Sequence, residues 1–193
     1  MERDADQMSL FGSAPELPEG FRYWPDFLTQ AEETDLVRQM ETLPFKSFQF
    51  HGFLGKRRVV SFGWRYDFDE RQLQKVSDMP AFLLPLRERA AALAGLPADS
   101  FQHALVTEYT AGAGIGWHRD KAVFDEIVGV SFLAPCAFRL RRKTDTGYDR
   151  VTVTAAARSA YLLSGPARSE WEHSIPPVDQ LRYSITFRNF RGR

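Results

Sequence analysis

Up to residue 100, apolar positions recur at helical spacing in two places. From residue 102 they alternate with polar ones in short runs separated by turn residues. In TQAEETDLVRQMETL (29–43), Thr29 and Glu32 stand as a capping box, and Leu36, Met40 and Leu43 share one helical face. The pattern predicts a helix that Pro44 ends. A second helix is expected over much of 80–94, stopped by Gly95 and Pro97. Between them, KRRVVSFGWRYDF (56–68) predicts a strand carrying Phe62, Trp64, Tyr66 and Phe68 on one face. The runs HALVTEY, IVGVSFL, AFRLRR, VTVTAA, SAYLLSG and LRYSITFRNF then follow with no helix-length segment among them. Many short strands without crossover helices predict an antiparallel sandwich or barrel rather than a parallel α/β sheet. The expected fold class is mainly β with flanking helices (α+β).

A chain of 193 residues is long enough for a substantial core, and one domain is expected over 19–193. Residues 1–18, acidic and then Pro-rich, read as a mobile tail. Net charge is zero, so no global field draws the protein to nucleic acid; any such binding rests on local clusters such as GKRR (55–58) and RLRRK (139–143). Cys136 is the only cysteine, which excludes a disulfide framework and multi-cysteine metal sites and fits a reducing compartment. No apolar run approaches the ~18 residues of a membrane span, and the acidic start MERDADQM does not read as a signal peptide. A cytoplasmic protein, acting as a monomer away from membranes, is the expectation.

The candidate chemistry begins at GIGWHRDKAVFD (114–125). His118 and Asp120 would share a face if the chain is extended there. A third ligand would have to come from His51, His103 or His173, and His173, in RSEWEHSIPP (168–177), is the best placed. Two histidines and one carboxylate, with coordination positions left open, make the facial triad of non-haem Fe(II) oxygenases. In RYSITFR (182–188), Arg182, Ser184, Thr186 and Arg188 fall on one face, and Tyr183, Ile185 and Phe187 on the other. The two arginines stand roughly 20 Å apart along a strand, and their long stems can lean together to grip the ends of a short dicarboxylate.

HRD (118–120), RSEWEHSIPP and RYSITFR, with TEYTAGAGIGWHRD leading in, resemble the AlkB family of Fe(II)- and 2-oxoglutarate-dependent dioxygenases in order and spacing. The resemblance is strong over about 100–190 and looser before it. It implies a double-stranded β-helix (jelly-roll) core over 101–193, with N-terminal helices, strands and a substrate lid over 19–100. It implies iron ligands at His118, Asp120 and His173. It implies 2-oxoglutarate held by Arg182 and Arg188, with Tyr109 as a hydrogen-bonding partner. The implied reaction consumes 2-oxoglutarate and O2 and gives succinate and CO2, with an N-methyl group leaving as formaldehyde. Thr107 and Ser184 stand where many members carry asparagine, and both keep hydrogen-bonding capacity for the co-substrate. Ala122 stands where the family's alkyl-DNA repair enzyme has an acidic residue near the base, with Asp125 or Glu126 as conceivable replacements.

The implied substrate is an N-alkylated base in DNA or RNA. His51 and Phe53 are the lid candidates, Arg57 and Arg58 the phosphate grips, and Trp117 a further substrate contact. QMSLF (7–11) resembles the short peptide that docks bacterial repair proteins on the DNA sliding clamp. Gln7 would supply hydrogen bonds there, and Leu10 and Phe11 would fill an apolar pocket. Two other readings stay open: the same chemistry on a protein side chain or small metabolite, and a barrel-type binding module without catalysis.

Overall fold

The computed structural model describes residues 16–50, 53–67 and 72–192. In chain order these form β1 (Phe21–Trp24), α1 (Gln30–Met40), β2 (Lys46–Phe50), β3 (Phe53–Phe62), β4 (Trp64–Asp67) and β5 (Gln72–Lys75). A 3-10 turn over Ala81–Leu83 then runs into α2 (Leu84–Ala94). The remainder is β6 (His103–Tyr109), β7 (Ile115–His118), β8 (Phe124–Phe132), β9 (Cys136–Thr144), β10 (Gly147–Ala155), β11 (Ala160–Leu163), α3 (Gly165–Ser169), β12 (Glu172–Ile175) and β13 (Arg182–Phe190).

Both longer helices obey their local signals. Thr29 caps α1, its hydroxyl accepting from the Glu32 amide while the Glu32 carboxylate accepts from the Thr29 amide. Gly95 closes α2 in the left-handed conformation. Met40 is fully buried, and Leu36 and Leu43 pack beside it.

Seven strands form one antiparallel sheet in the order β1-β11-β8-β13-β6-β3-β2, and four form a second in the order β10-β9-β12-β7. Alternate residues of the large sheet serve two cores. Ala104, Val106, Val128, Val130, Phe132, Ile185 and Phe187 pack with Met40, Leu83, Leu86 and Ala90 of the helical layer. Tyr109, Ile127, Tyr161 and Leu163 meet Phe138, Leu140 and Ile175 of the small sheet. This three-layer, all-antiparallel arrangement is the expected jelly-roll core with flanking helices.

Segment 56–68 departs from expectation. Gly63 sits at φ +73, and a Cβ there would collide with the Gln102 carbonyl. The chain turns at that point, so β3 stays in the large sheet while β4 pairs with β5 in a two-stranded sheet. Phe62 is buried in the helix-facing core, whereas Trp64 meets the ring of Phe190 edge-on. Of the aromatics read as one face, Phe62 therefore belongs to one sheet and Trp64 and Tyr66 to another, and Phe68 lies outside the described residues.

On the helix-facing side, Glu108 of β6 is a buried carboxylate held at two points by Arg58 of β3, at 2.6 and 2.7 Å, and by the Tyr183 hydroxyl at 3.1 Å. The Arg58 hydrogen bonds pull the Glu108 carboxyl below its ordinary 4.5, against the opposing effect of burial. Burial, reinforced by the neighbouring Glu108, pushes Tyr183 up to about 12, so its hydroxyl remains a donor. A depressed carboxyl pKa stabilises the fold above the unfolded value and is lost as pH falls through the lower folded value. Glu108→Gln should therefore cost about 1 kcal/mol at pH 7, the half-exposed Arg58 partner keeping the figure small. The variant should also show a flatter loss of stability below pH 4.5 than the parent. Urea midpoints measured across acidic pH check both.

Candidate metal and co-substrate site

His118 and His173 face each other because β7 and β12 pair antiparallel with these two residues in register. Their ring centroids lie 4.2 Å apart. Asp120 is not part of the strand, which ends at His118. It arrives from the following loop, and a residue of the other sheet fixes it. Arg188 of β13 donates to Asp120 Oδ1 from Nε at 2.8 Å and from Nη2 at 2.7 Å. Arg168, itself buried, donates to the carbonyls of Lys121 and Phe124 and holds the loop down. One ligand atom from each of His118, Asp120 and His173 lies within 4.8 Å of the others.

The protonation states suit a cation. Burial first, then the neighbouring His118, lowers His173 to about 3, leaving it neutral at ordinary pH. Its 3.5 Å approach to Asp120 Oδ2 is therefore not an ion pair. Burial opposes ionisation of Asp120, but Arg188 and the two histidines outweigh it and hold the carboxyl below the usual range. His118 Nδ1 lies 2.9 Å from the Gly116 carbonyl. A carbonyl only accepts, so this contact selects the tautomer with the proton on Nδ1 and leaves Nε2 for a metal.

The cluster opens into a narrow cavity of about 60 Å³ between the two sheets, also lined by Thr107, Tyr109, Arg182, Ser184, Arg188 and Arg57. A larger hollow of about 300 Å³, beside Gly63, Lys75, Met79 and Arg87, lies elsewhere and contains none of these groups. The polar face of β13 thus points into the barrel rather than to solvent. Arg182 is 1% exposed. Its Nη2 donates to Ser131 Oγ at 2.9 Å, and its guanidinium lies over the Tyr109 ring at 5.0 Å. Its Nε and Nη1 have no hydrogen-bond partner among the described residues. A buried guanidinium with open donors is costly unless an anion completes it. Arg188, by contrast, is engaged by Asp120 and approaches His103 Nδ1 at 3.4 Å. Burial, then Arg188, lowers His103 far enough that this nitrogen can accept. The two arginines expected to act alike have different partners.

Arg57 and Arg58 separate. Arg57 faces the cavity, its guanidinium 3.7 Å from the centre of the Phe48 ring. Arg58 faces the helices and is tied to Glu108, so the structure does not bring it to the site. Trp117 projects outward, between Arg139 at 5.0 Å and Arg141 at 4.5 Å. Asp125 pairs with Arg191, and Glu126 accepts from Asn189; neither lines the cavity. Phe53 begins β3. His51, Gln7, Leu10 and Phe11 lie outside the described residues.

Sequence reasoning missed Arg168, Ser131 and Tyr161. The Tyr161 ring lies across Gly129, where a Cβ would strike it, and packs 4.5 Å from Phe138. The glycine in IVGVSFL was the one available signal.

A family model described as the 2OG-Fe(II) oxygenase superfamily matches residues 20–188. An Arabidopsis thaliana protein named "Alkylated DNA repair protein ALKBH8 homolog" is 28% identical over 214 residues, covering 97% of this chain and 60% of that protein. A Danio rerio protein named "Probable RNA/DNA demethylase ALKBH6" is 30% identical over 113 residues, covering 58% of this chain and 46% of that protein. The chain thus spans roughly half to three fifths of the length of these relatives. The solved structure of OsALKBH1 superposes with a TM-score of 0.69 at 17% identity, covering 88% of this chain and 96% of that one, a likeness of fold. The superfamily's metal is Fe(II) and its co-substrates are 2-oxoglutarate and O2, which suits a cavity holding a His-Asp-His cluster beside an arginine with open donors. With the family match running through nearly all of its described residues, the chain belongs to the 2OG-Fe(II) oxygenase superfamily and, within it, is AlkB-like.

Proposed function

We propose that the chain is an Fe(II)- and 2-oxoglutarate-dependent oxygenase that removes N-alkyl groups from bases of DNA or RNA. The observation that carries the chemistry is Arg182, buried with two unsatisfied donors in the cavity that also holds His118, Asp120 and His173. The donor set fits iron: two imidazoles able to present a lone pair and one ionised carboxylate leave coordination positions open. His118, Asp120 and His173 would hold the metal. Arg182 would take one carboxylate of 2-oxoglutarate on Nε and Nη1, with Thr107, Tyr109 and Ser184 beside it. Arg188 orients Asp120 and keeps it ionised. The sheets exclude water around both. Bound iron with 2-oxoglutarate and O2 supplies the oxidation of a C–H bond, giving succinate, CO2 and a hydroxymethyl group that leaves as formaldehyde.

The names of the two aligned relatives support a nucleic-acid substrate. So does the outer face of the small sheet. There Arg139, Trp117, Arg141, Tyr148 and Arg150 stack in alternation, each cation 4.5–5.1 Å from the next ring. Arg141 is paired with Glu172. Arg139 donates to Ser174 Oγ and Arg150 to the Tyr148 carbonyl, and neither forms an ion pair among the described residues. Such a ladder offers both charge and flat surface to a strand.

Three outcomes test this. With methylated oligonucleotides, Fe(II) and 2-oxoglutarate, mass spectrometry should show demethylation and succinate, both abolished by His118→Ala or Asp120→Ala; no succinate under any condition would sink the proposal. Arg182→Met should weaken 2-oxoglutarate binding by about 100-fold, the scale of a charge-assisted pair. Its melting temperature without ligand should be unchanged or raised, because a costly buried charge is gone; calorimetry reads both. Arg139→Ala combined with Arg150→Ala should reduce the salt slope of single-strand binding by about 1.4, while turnover of a methylated nucleoside stays at the parent level.

A further inference from the structure

The cavity walls carry three guanidinium groups, those of Arg57, Arg182 and Arg188. Asp120 is the one carboxylate lining it among the described residues, and Arg188 already grips it. The two charges of Fe(II) are matched by the two of 2-oxoglutarate, so loading the site leaves the excess of positive charge in place. Asp125 and Glu126, the nearest acids along the chain, are turned to Arg191 and Asn189. Ala122 adds no charge.

Arg57 sets what this excess does to a substrate. It lines the same narrow cavity as Tyr109 and His118, and its place is fixed by stacking on Phe48 and by a long contact, 3.4 Å, from Nη1 to the Gly114 carbonyl. A guanidinium keeps its proton in proteins. A flat ring brought to the metal cluster through so small a space comes under that charge. A cationic ring is repelled, whereas a ring carbonyl can accept a hydrogen bond from it. We propose that Arg57 is a specificity residue selecting alkylated bases that are uncharged and carry a ring carbonyl, and rejecting those fixed as cations. This rests on the nucleobase reading above.

The test uses two bases of nearly the same shape in one oligonucleotide sequence: 3-methyluracil, neutral, and 3-methylcytosine, a cation at neutral pH. Binding is read by fluorescence anisotropy with the full chain free of metal, and turnover with Fe(II) and 2-oxoglutarate. The parent should favour 3-methyluracil by about tenfold or more in both readouts, as a like charge held within a few ångström implies. Arg57→Gln should erase most of that ratio, chiefly by improving the cation, and Arg57→Lys should keep it. Melting curves show that each variant is folded. Equal treatment of the two bases by the parent overturns the inference, as does a loss of 2-oxoglutarate affinity in Arg57→Gln with the base ratio unmoved. Failure to bind or turn over either methylated strand better than the unmethylated one overturns the nucleobase reading, and this inference with it.

Discussion

The contact between Arg188 and Asp120 is the constraint on which the site depends. Asp120 lies beyond the end of its strand, in a loop that no ladder of backbone hydrogen bonds would hold. Its carboxylate is nevertheless only 10% exposed, a position that disfavours the charge a metal ligand must keep. Arg188 settles both matters. Two of its nitrogens fix the orientation of Oδ1, and its charge is the largest of those that together outweigh the effect of burial. It also reaches from the large sheet to a loop that continues the small one, so the cluster is complete only when the two sheets are packed. Removing it would leave a buried carboxylate unpaired, which is more costly than never having built the pair.

The same strand explains why Arg182 and Arg188 are not equivalent. Every residue of β13 is buried, and its pleat sends Tyr183, Ile185 and Phe187 to the helices and Arg182, Ser184, Thr186 and Arg188 into the barrel. The arginines stand six positions apart, so they meet different neighbours. Arg188 ends beside a carboxylate and a neutral histidine. Arg182 ends beside a hydroxyl and an aromatic ring. One guanidinium is therefore engaged within the chain, and the other keeps two donors without a partner among the described residues.

Much of this was legible in the sequence, because it is local or strictly periodic. The capping box at Thr29, the stop at Gly95 and the two faces of 182–188 follow from spacing alone. His173 opposite His118 followed only from resemblance and from its place before two prolines, since register between β7 and β12 is a long-range fact. The break at Gly63 was misread because a glycine within an alternating run looks like a gap in the pattern, while its positive φ and the Gln102 carbonyl that a Cβ would strike are visible only in the fold. Arg168 carried no signal at all. Its role is to hold two carbonyls some forty residues away, which leaves no trace in spacing.

The neighbours of the site divide by one rule. In a sheet, neighbours in sequence point to opposite faces, so a cluster such as KRR cannot act as a unit. Arg57 enters the cavity while Arg58 braces Glu108 among the helices. Trp117 joins an outer arginine ladder while His118 turns inward. Glu172 pairs with Arg141 outside while His173 faces the cluster. Once the register of His118 against His173 is known, parity assigns their immediate neighbours, while the register shift towards Ile175 lets Ile115 line the cavity as well. The barrel thus places polar groups on both sides of the same strands, Arg57 and His173 inward, Arg58 and Glu172 outward.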